Sequence, residues 1–130
     1  MFSTSPAFSS FSVDDIDAAR TFYSETLGLT VEDLPMPGGL LSLQLAGGGS
    51  VMIYPKPDHR PATFTVMSFP VDDVDKAVDR LVEAGVTMQR YEGFGQDDRG
   101  VARGDVGPAI AWFTDPAGNV LAVLEQDEDD

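Results

Sequence analysis

An internal repeat restricts the possible folds of this chain more than any other feature. Residues 10–19 (SFSVDDIDAA) and 68–77 (SFPVDDVDKA) are identical at seven of ten positions, at a constant offset of 58. Ile16 and Val74 form a conservative eighth pair. A repeat of this kind in a chain of 130 residues predicts two copies of one supersecondary unit within a single small domain.

Each copy predicts a strand, a helix and then further strands. The β-prone segments 8–13 and 64–71 are each followed by an aspartate pair, which can accept the free amides of a helix start. Apolar residues then recur at helical spacing as far as Gly28 and Gly85, where a left-handed C-terminal residue belongs. Turn residues and β-prone runs predict the remaining strands at 30–34, 40–45, 51–54, 87–91, 109–114 and 120–125.

Proline and glycine mark the connections. The three prolines of 55–62 (PKPDHRPA) predict a linker between modules at about 1–58 and 62–126, followed by an acidic tail at 126–130. Segment 92–108 contains five glycines and is long for a connection in a compact domain, so it is either mobile or a functional flap. The side chains on or beside it that could close over a ligand are Tyr91, Phe94, Arg99 and Arg103.

Composition excludes several classes of protein. With no cysteine, the chain can form neither a disulfide scaffold nor a thiolate nucleophile. Its 22 acidic and 8 basic residues give a net charge of −14, which disfavours nucleic acid and anionic lipid as partners. The sequence contains neither an apolar run of membrane-spanning length nor a signal-peptide pattern, so we expect a cytoplasmic protein with no membrane partner.

Two motifs carry a resemblance to a known family. The segment 11–29 (FSVDDIDAARTFYSETLGL) and the turn 113–119 (FTDPAGN) resemble the vicinal oxygen chelate superfamily. That superfamily includes glyoxalase I, the bleomycin-resistance proteins, extradiol dioxygenases and fosfomycin-resistance transferases. The resemblance covers nearly the whole chain and implies an α+β fold, in which two βαβββ modules form a curled mixed sheet around a cavity. Because many small members are homodimers, it also implies a homodimer.

The resemblance implies metal-ligand positions that are apolar in this chain. These positions correspond to Phe8, Val66 and Ala122, and the fourth strand offers no carboxylate within 51–54. The single histidine, His59, excludes any two-histidine or three-histidine site within one subunit and is expected at the surface of the linker. We therefore expect no metal, no other cofactor and no catalytic residue.

The resemblance implies that the metal-ligand positions point into the cavity, and strand alternation from these positions predicts which other side chains do so. Trp112 is the principal candidate, because a large ring with one N–H suits a mostly apolar pocket. The alternative for Trp112 is simple core packing. The predicted ligand-binding residues are Phe8, Ser10, Met52, Tyr54, Val66, Ser68, Trp112 and Ala122.

These observations lead to one main functional hypothesis and two alternatives. The main hypothesis is a metal-independent protein that binds and sequesters an aromatic or cationic small molecule in an apolar cavity. The first alternative is a lyase, isomerase or dioxygenase of the same family, with a displaced metal site or a metal-free mechanism. The second is a structural or regulatory dimer without a specific ligand.

Overall fold

A computed structural model describes residues 1–103 and 107–126. Its contacts divide the chain into two units, Met1–Arg60 and Pro61–Asp130. Each unit contains a four-stranded mixed sheet and a helical segment in the order βαβββ, so the α+β class and the two-module prediction are confirmed. Within the described part of the chain, the structure contains no helix that is long and apolar enough to cross a membrane.

The first unit begins with a strand, a short helix and a π-helical segment. Its elements are β1 (Ser9–Val13), α1 (Ile16–Thr21), the π-helical segment (Phe22–Thr26), β2 (Thr30–Leu34), β3 (Leu40–Gln44) and β4 (Ser50–Pro55). The strand order in its sheet is β1-β4-β3-β2. Strand β1 runs parallel to β4, and the other neighbours are antiparallel.

The second unit has the same order of elements. They are β5 (Thr65–Val71), α2 (Val74–Glu83), β6 (Val101–Ala102), β7 (Ile110–Thr114) and β8 (Val120–Glu125). The strand order is β5-β8-β7-β6, with β5 parallel to β8. The two sheets therefore share one topology, as the sequence repeat requires.

Both copies of the repeat form the same strand, cap and helix. Asp15 is the N-cap of α1, and its carboxylate accepts the N–H groups of Asp17 and Ala18 at 3.0 and 3.1 Å. Asp73 is the N-cap of α2 and accepts the N–H of Lys76 at 3.2 Å. The second aspartate of each pair thus caps the helix and satisfies amides that the first helical turn leaves unbonded.

The first helix changes its hydrogen-bonding pattern after Thr21. The N–H of Leu27 bonds to the carbonyl of Phe22 at 2.9 Å, which is the five-residue spacing of a π-helix. This turn buries the adjacent rings of Phe22 and Tyr23, whose centroids lie 5.1 Å apart. The ring centroid of Tyr23 also lies 6.1 Å from that of Phe11 in β1, so Phe11 lies on the helix-covered face of the first sheet.

One predicted strand is wrong. Residues 87–91 form no strand, and only Met88 makes an isolated bridge, to Phe113 of β7. The edge strand is instead β6, where Val101 and Ala102 pair with Ala111 and Ile110. Met88 and β6 therefore pair with the same edge of β7, and the residues between them form a loop.

Candidate functional site

We call the face of each sheet that is not packed against its helix the open face. On β7 the burial alternates, because Ala111 and Phe113 are 0% and 1% exposed, whereas Trp112 keeps partial exposure. Trp112 pairs with Ala122 of β8, which in turn pairs with Ser68 of β5. Because paired residues point to the same side of a sheet, these three predicted site residues form one row across the open face of the second unit.

Three aromatic rings meet over this row, and we call Tyr91, Phe94 and Trp112 the aromatic cluster. The ring of Trp112 lies 5.6 Å from that of Tyr91, edge to face, and 5.0 Å from that of Phe94. Tyr91 and Phe94 are themselves 5.8 Å apart. These separations are typical of attractive aromatic pairs. Ala122, the cross-strand partner of Trp112, is fully buried.

The cluster is only partly shielded from solvent. Phe94 is 51% exposed, so one ring presents much of its surface to water. Burial raises the pKa of the Tyr91 phenol above its usual range, so that hydroxyl is neutral at pH 7. The result is an uncharged aromatic surface that can bind a planar or apolar molecule.

The segment 89–103, here called the clasp loop, carries two of the three rings. An ion-pair network attaches its far end to α2: Arg99 bonds to Asp79 and lies 3.5 Å from Asp75, and Arg103 bonds to Asp75 at 2.5 Å. Within the loop, Asp97 accepts the N–H groups of Arg99 and Val101 at 2.9 and 3.0 Å. These bonds hold the pKa of Asp97 below its usual range, the Val101 N–H contributing most. Residues 104–106 of the predicted flap lie outside the described residues.

A surface groove of about 520 Å³ lies beside α2 in the same unit. Its wall includes Val82, Glu83, Met88 and Arg90, together with Arg99 of the clasp loop. Both acidic and basic groups line it, and it includes none of the aromatic cluster. The aromatic cluster on the open face is the better candidate site, because it presents uncharged ring surface that can bind a ligand.

In the first unit, the open face carries three further predicted residues. Ser10 pairs with Met52, which also pairs with Ser42 of β3, and Tyr54 follows two residues later in β4. Tyr54 is 39% exposed. Phe8 lies just before β1 and is 61% exposed, so it belongs to the approach to the strand and not to the sheet.

The predicted position of Val66 is altered by an irregularity in β5. The register shifts between Thr65 and Met67, so Thr65 pairs with Val120 and Met67 with Leu121. Val66 is the extra residue of this bulge, and regular alternation does not apply to it. A bulge leaves no mark in the apolar run of β5, so the sequence could not have predicted it.

His59 makes a contact that the sequence did not predict. Its Nδ1 lies 2.6 Å from the hydroxyl oxygen of Ser12, which alternation places on the open face of the first sheet. Both residues are half-buried, so His59 lies against β1 and does not project freely from the linker. In the tautomer that carries its proton on Nε2, the Nδ1 atom accepts a hydrogen bond from the Ser12 hydroxyl.

The residues at the implied metal positions do not fit a resident metal. The side chains of Phe8, Val66 and Ala122 have no donor atom. Across residues 1–103 and 107–126, no group of three or more His, Cys, Asp or Glu is placed to hold a metal ion. No step of a mechanism is therefore assigned to a metal here.

Comparison with known families settles the relationship. The family model described as Glyoxalase/Bleomycin resistance protein/Dioxygenase superfamily matches residues 8–123. The chain belongs to this superfamily. The match spans both modules, including the two aspartate caps and the row from Ser68 to Trp112.

Solved structures of this superfamily share the fold. A glyoxalase family protein from Enterococcus faecalis has a TM-score of 0.70 and 22% identity, covering 96% of this chain and 100% of that chain. TnmS3, an antibiotic binding protein from Streptomyces sp. CB03234, has a TM-score of 0.69 and 26% identity, covering 93% and 96%. A lactoylglutathione lyase from Agrobacterium tumefaciens has a TM-score of 0.67 and 24% identity, covering 91% and 90%. No curated protein matches the sequence.

Proposed function

We propose that this superfamily member binds a planar aromatic small molecule on its open faces without a metal. The aromatic cluster carries this proposal, because Phe94 leaves apolar ring surface exposed beside Trp112. The similarity to TnmS3, an antibiotic binding protein, supports the same reading. Burial of the ligand rings would supply most of the affinity, at about 25 cal/mol per Å². The proposed contacts in the first unit are Phe8, Ser10, Met52 and Tyr54. Those in the second unit are Val66, Ser68, Trp112 and Ala122, together with the cluster rings of Tyr91 and Phe94.

The net charge of −14 favours a ligand that carries a positive charge. Proflavine, a planar aromatic cation, is therefore a suitable probe. At 0.5 M NaCl, where long-range attraction is largely screened, we expect it to quench Trp112 emission saturably. Linear, unsaturable quenching at that salt concentration would contradict the proposal.

The contribution of the cluster is tested by truncating one ring. We expect Phe94→Ala to weaken proflavine binding by about 1–3 kcal/mol, measured by calorimetry, because one stacked face is lost. Phe64→Ala is the matched control, since Phe64 is 68% exposed in the same unit and makes none of the ring contacts described above. Equal effects of the two substitutions would show that binding does not occur at the cluster.

A second candidate function is catalytic, and the contact of Ser12 with His59 favours it. A serine hydroxyl bonded to an imidazole can act as a nucleophile, with the histidine accepting the proton. A fluorophosphonate probe tests this: Ser12 Oγ would form the P–O bond, fluoride would leave, and His59 would take the proton. Phosphonylation of Ser12 that is lost in His59→Ala but retained in Ser10→Ala supports an enzyme. An unlabelled Ser12 removes this candidate.

We also propose that the chain forms one domain of two modules, at about 1–58 and 62–126, joined by the linker 55–62. We propose further that this domain is cytoplasmic and forms a homodimer. Light scattering coupled to size exclusion tests the dimer, which would have twice the chain mass of 13.9 kDa. Residues 127–130 of the predicted acidic tail lie outside the described residues. Small-molecule binding requires neither nucleic acid nor a membrane as a partner.

A further inference from the structure

The side-chain amide of Gln96 connects three separate points of the clasp loop. Its Oε1 accepts the N–H of Tyr91 at 2.6 Å. Its Nε2 donates to the carbonyl of Gln89 at 2.9 Å and to that of Gly100 at 2.6 Å. Gln96 is half-buried, so these bonds are partly protected from competition with water.

These bonds act on the segment that carries two rings of the cluster. The backbone N–H of Tyr91 donates one of these bonds, and Phe94 lies between Tyr91 and Gln96 in the chain. The backbone N–H of Gln89 is bonded to the carbonyl of Trp112 at 2.8 Å, so the base of the loop is fixed to β7. The Gln96 amide is thus the link between this fixed base and the remainder of the loop.

At its far end the loop pairs with β7 through Val101 and Ala102, and its attachment to α2 consists of exposed ion pairs. Arg99 and Arg103 bond to Asp75 and Asp79, all of which keep 39–60% of their side chains accessible. Exposed pairs contribute little and are screened by salt. The distance between Phe94 and the indole of Trp112 therefore depends on Gln96 more than on the ion pairs.

We propose that Gln96 is a positioning residue, which sets the separation of the loop rings from Trp112 and so selects planar over bulky aromatic ligands. The ligand preference in this inference rests on the proposed function. The loop position itself does not depend on any ligand and can be tested separately.

The first test measures the loop without ligand. In Gln96→Met, which keeps the side-chain length but removes every bond, we expect acrylamide to quench Trp112 more efficiently and the emission to shift to the red. Gln89→Met is the matched control, because the Gln89 amide makes a single 3.3 Å bond to Thr87. Gln96→Glu is a second variant, which keeps the acceptor but cannot donate to Gln89 and Gly100. Wild-type quenching in both Gln96 variants would overturn the proposal.

The second test measures selectivity, which a general loss of stability would not change. The dissociation constants of proflavine, which is planar, and crystal violet, which is propeller-shaped, are compared at 0.5 M NaCl. We expect Gln96→Met to weaken proflavine binding by about tenfold, the equivalent of one net hydrogen bond, and to leave crystal violet unaffected or tighter. An unchanged ratio of the two constants would overturn the proposal. If the wild type binds neither dye, the proposed function fails, and the quenching comparison alone decides the role of Gln96.

Discussion

Trp112 and Phe113 are neighbours in the chain but lie on opposite faces of the second sheet. Phe113 is 1% exposed on the face that packs against α2, whereas Trp112 is half-buried on the open face. Two large rings in consecutive positions thus serve different purposes, and the alternation of the strand is the only reason. We therefore expect substitution of Trp112 to affect ligand binding more than stability, and substitution of Phe113 to affect stability more than ligand binding.

We expect Trp112→Ala to reduce proflavine affinity by about 1–3 kcal/mol with a smaller loss of stability, because the ring is not enclosed. Phe113→Ala should instead cost about 3–5 kcal/mol of unfolding free energy, because it leaves a cavity in the core. Denaturant unfolding followed by circular dichroism, together with calorimetry, measures both quantities. A larger loss of stability from Trp112→Ala than from Phe113→Ala would mean that the two faces are assigned backwards.

The sequence could predict which residues lie together where strand alternation alone determines which side chains share one face of a sheet. Trp112, Ala122 and Ser68 were predicted in this way, and the structure brings them into one row. Gln96 was missed because its partners are backbone groups, and backbone groups are present at every position of any sequence. The contact of His59 with Ser12 was missed because the two residues lie 47 positions apart, and the path of a proline-rich linker is not encoded in a periodic pattern.

At the scale of elements, the two helix starts allow a controlled comparison. Each aspartate pair contains one residue that caps the helix and one that precedes the cap, so the pair supplies its own control. We expect Asp15→Ala and Asp73→Ala each to cost about 1 kcal/mol of stability, because a free amide loses its acceptor. Asp14→Ala and Asp72→Ala should change the melting temperature much less. Equal shifts within each pair would contradict the assigned caps.

The pH dependence of the clasp loop follows from Asp97. Its folded pKa lies below the usual carboxyl value, so its charge stabilises the loop above about pH 4, and this contribution is lost as the pH falls through the folded pKa. We expect acrylamide quenching of Trp112 to increase as the pH falls from about 4, while circular dichroism still reports a folded chain.

Asp97→Asn provides the control for this titration. An asparagine can accept through its carbonyl but carries no charge, so much of the increase in quenching should already be present at pH 7. Its remaining change with pH should be smaller than that of the wild type. Superimposable pH profiles for the two proteins would show that another carboxylate controls the loop.

The elements that failed prediction are those that depend on distant pairing. Residues 87–91 are β-prone, yet Met88 makes only one bridge, because β6 occupies the rest of the β7 edge. The periodicity of the first helix continued correctly to Leu27, but it could not show that the last turn is a π-helix. In both cases tertiary packing, and not local propensity, decides the outcome.

For the whole molecule, the absence of donor side chains at the implied ligand positions has a direct consequence. Because Phe8, Val66 and Ala122 cannot coordinate a metal, we expect exhaustive dialysis against EDTA to leave the melting temperature and proflavine binding unchanged. Elemental analysis of the protein before dialysis completes the measurement. About one tightly bound metal per chain, with a lower melting temperature after its removal, would contradict this expectation.

The clasp loop is bonded to β7 through β6 and through the N–H of Gln89, but the side-chain bonds to its backbone are made within the loop. The Gln96 amide and the Asp97 carboxylate satisfy backbone groups between residues 89 and 101, and only the two arginines reach to α2. Because these side-chain bonds are internal to the loop, we expect other residues of the loop to be exchangeable without disturbing the two sheets. Libraries for directed evolution of new ligand preferences should therefore diversify Tyr91, Glu92, Phe94 and Asp98 while retaining Gln96 and Asp97. The two modules would then keep their structure, and the mutations that change ligand preference would be confined to the codons of this one short segment.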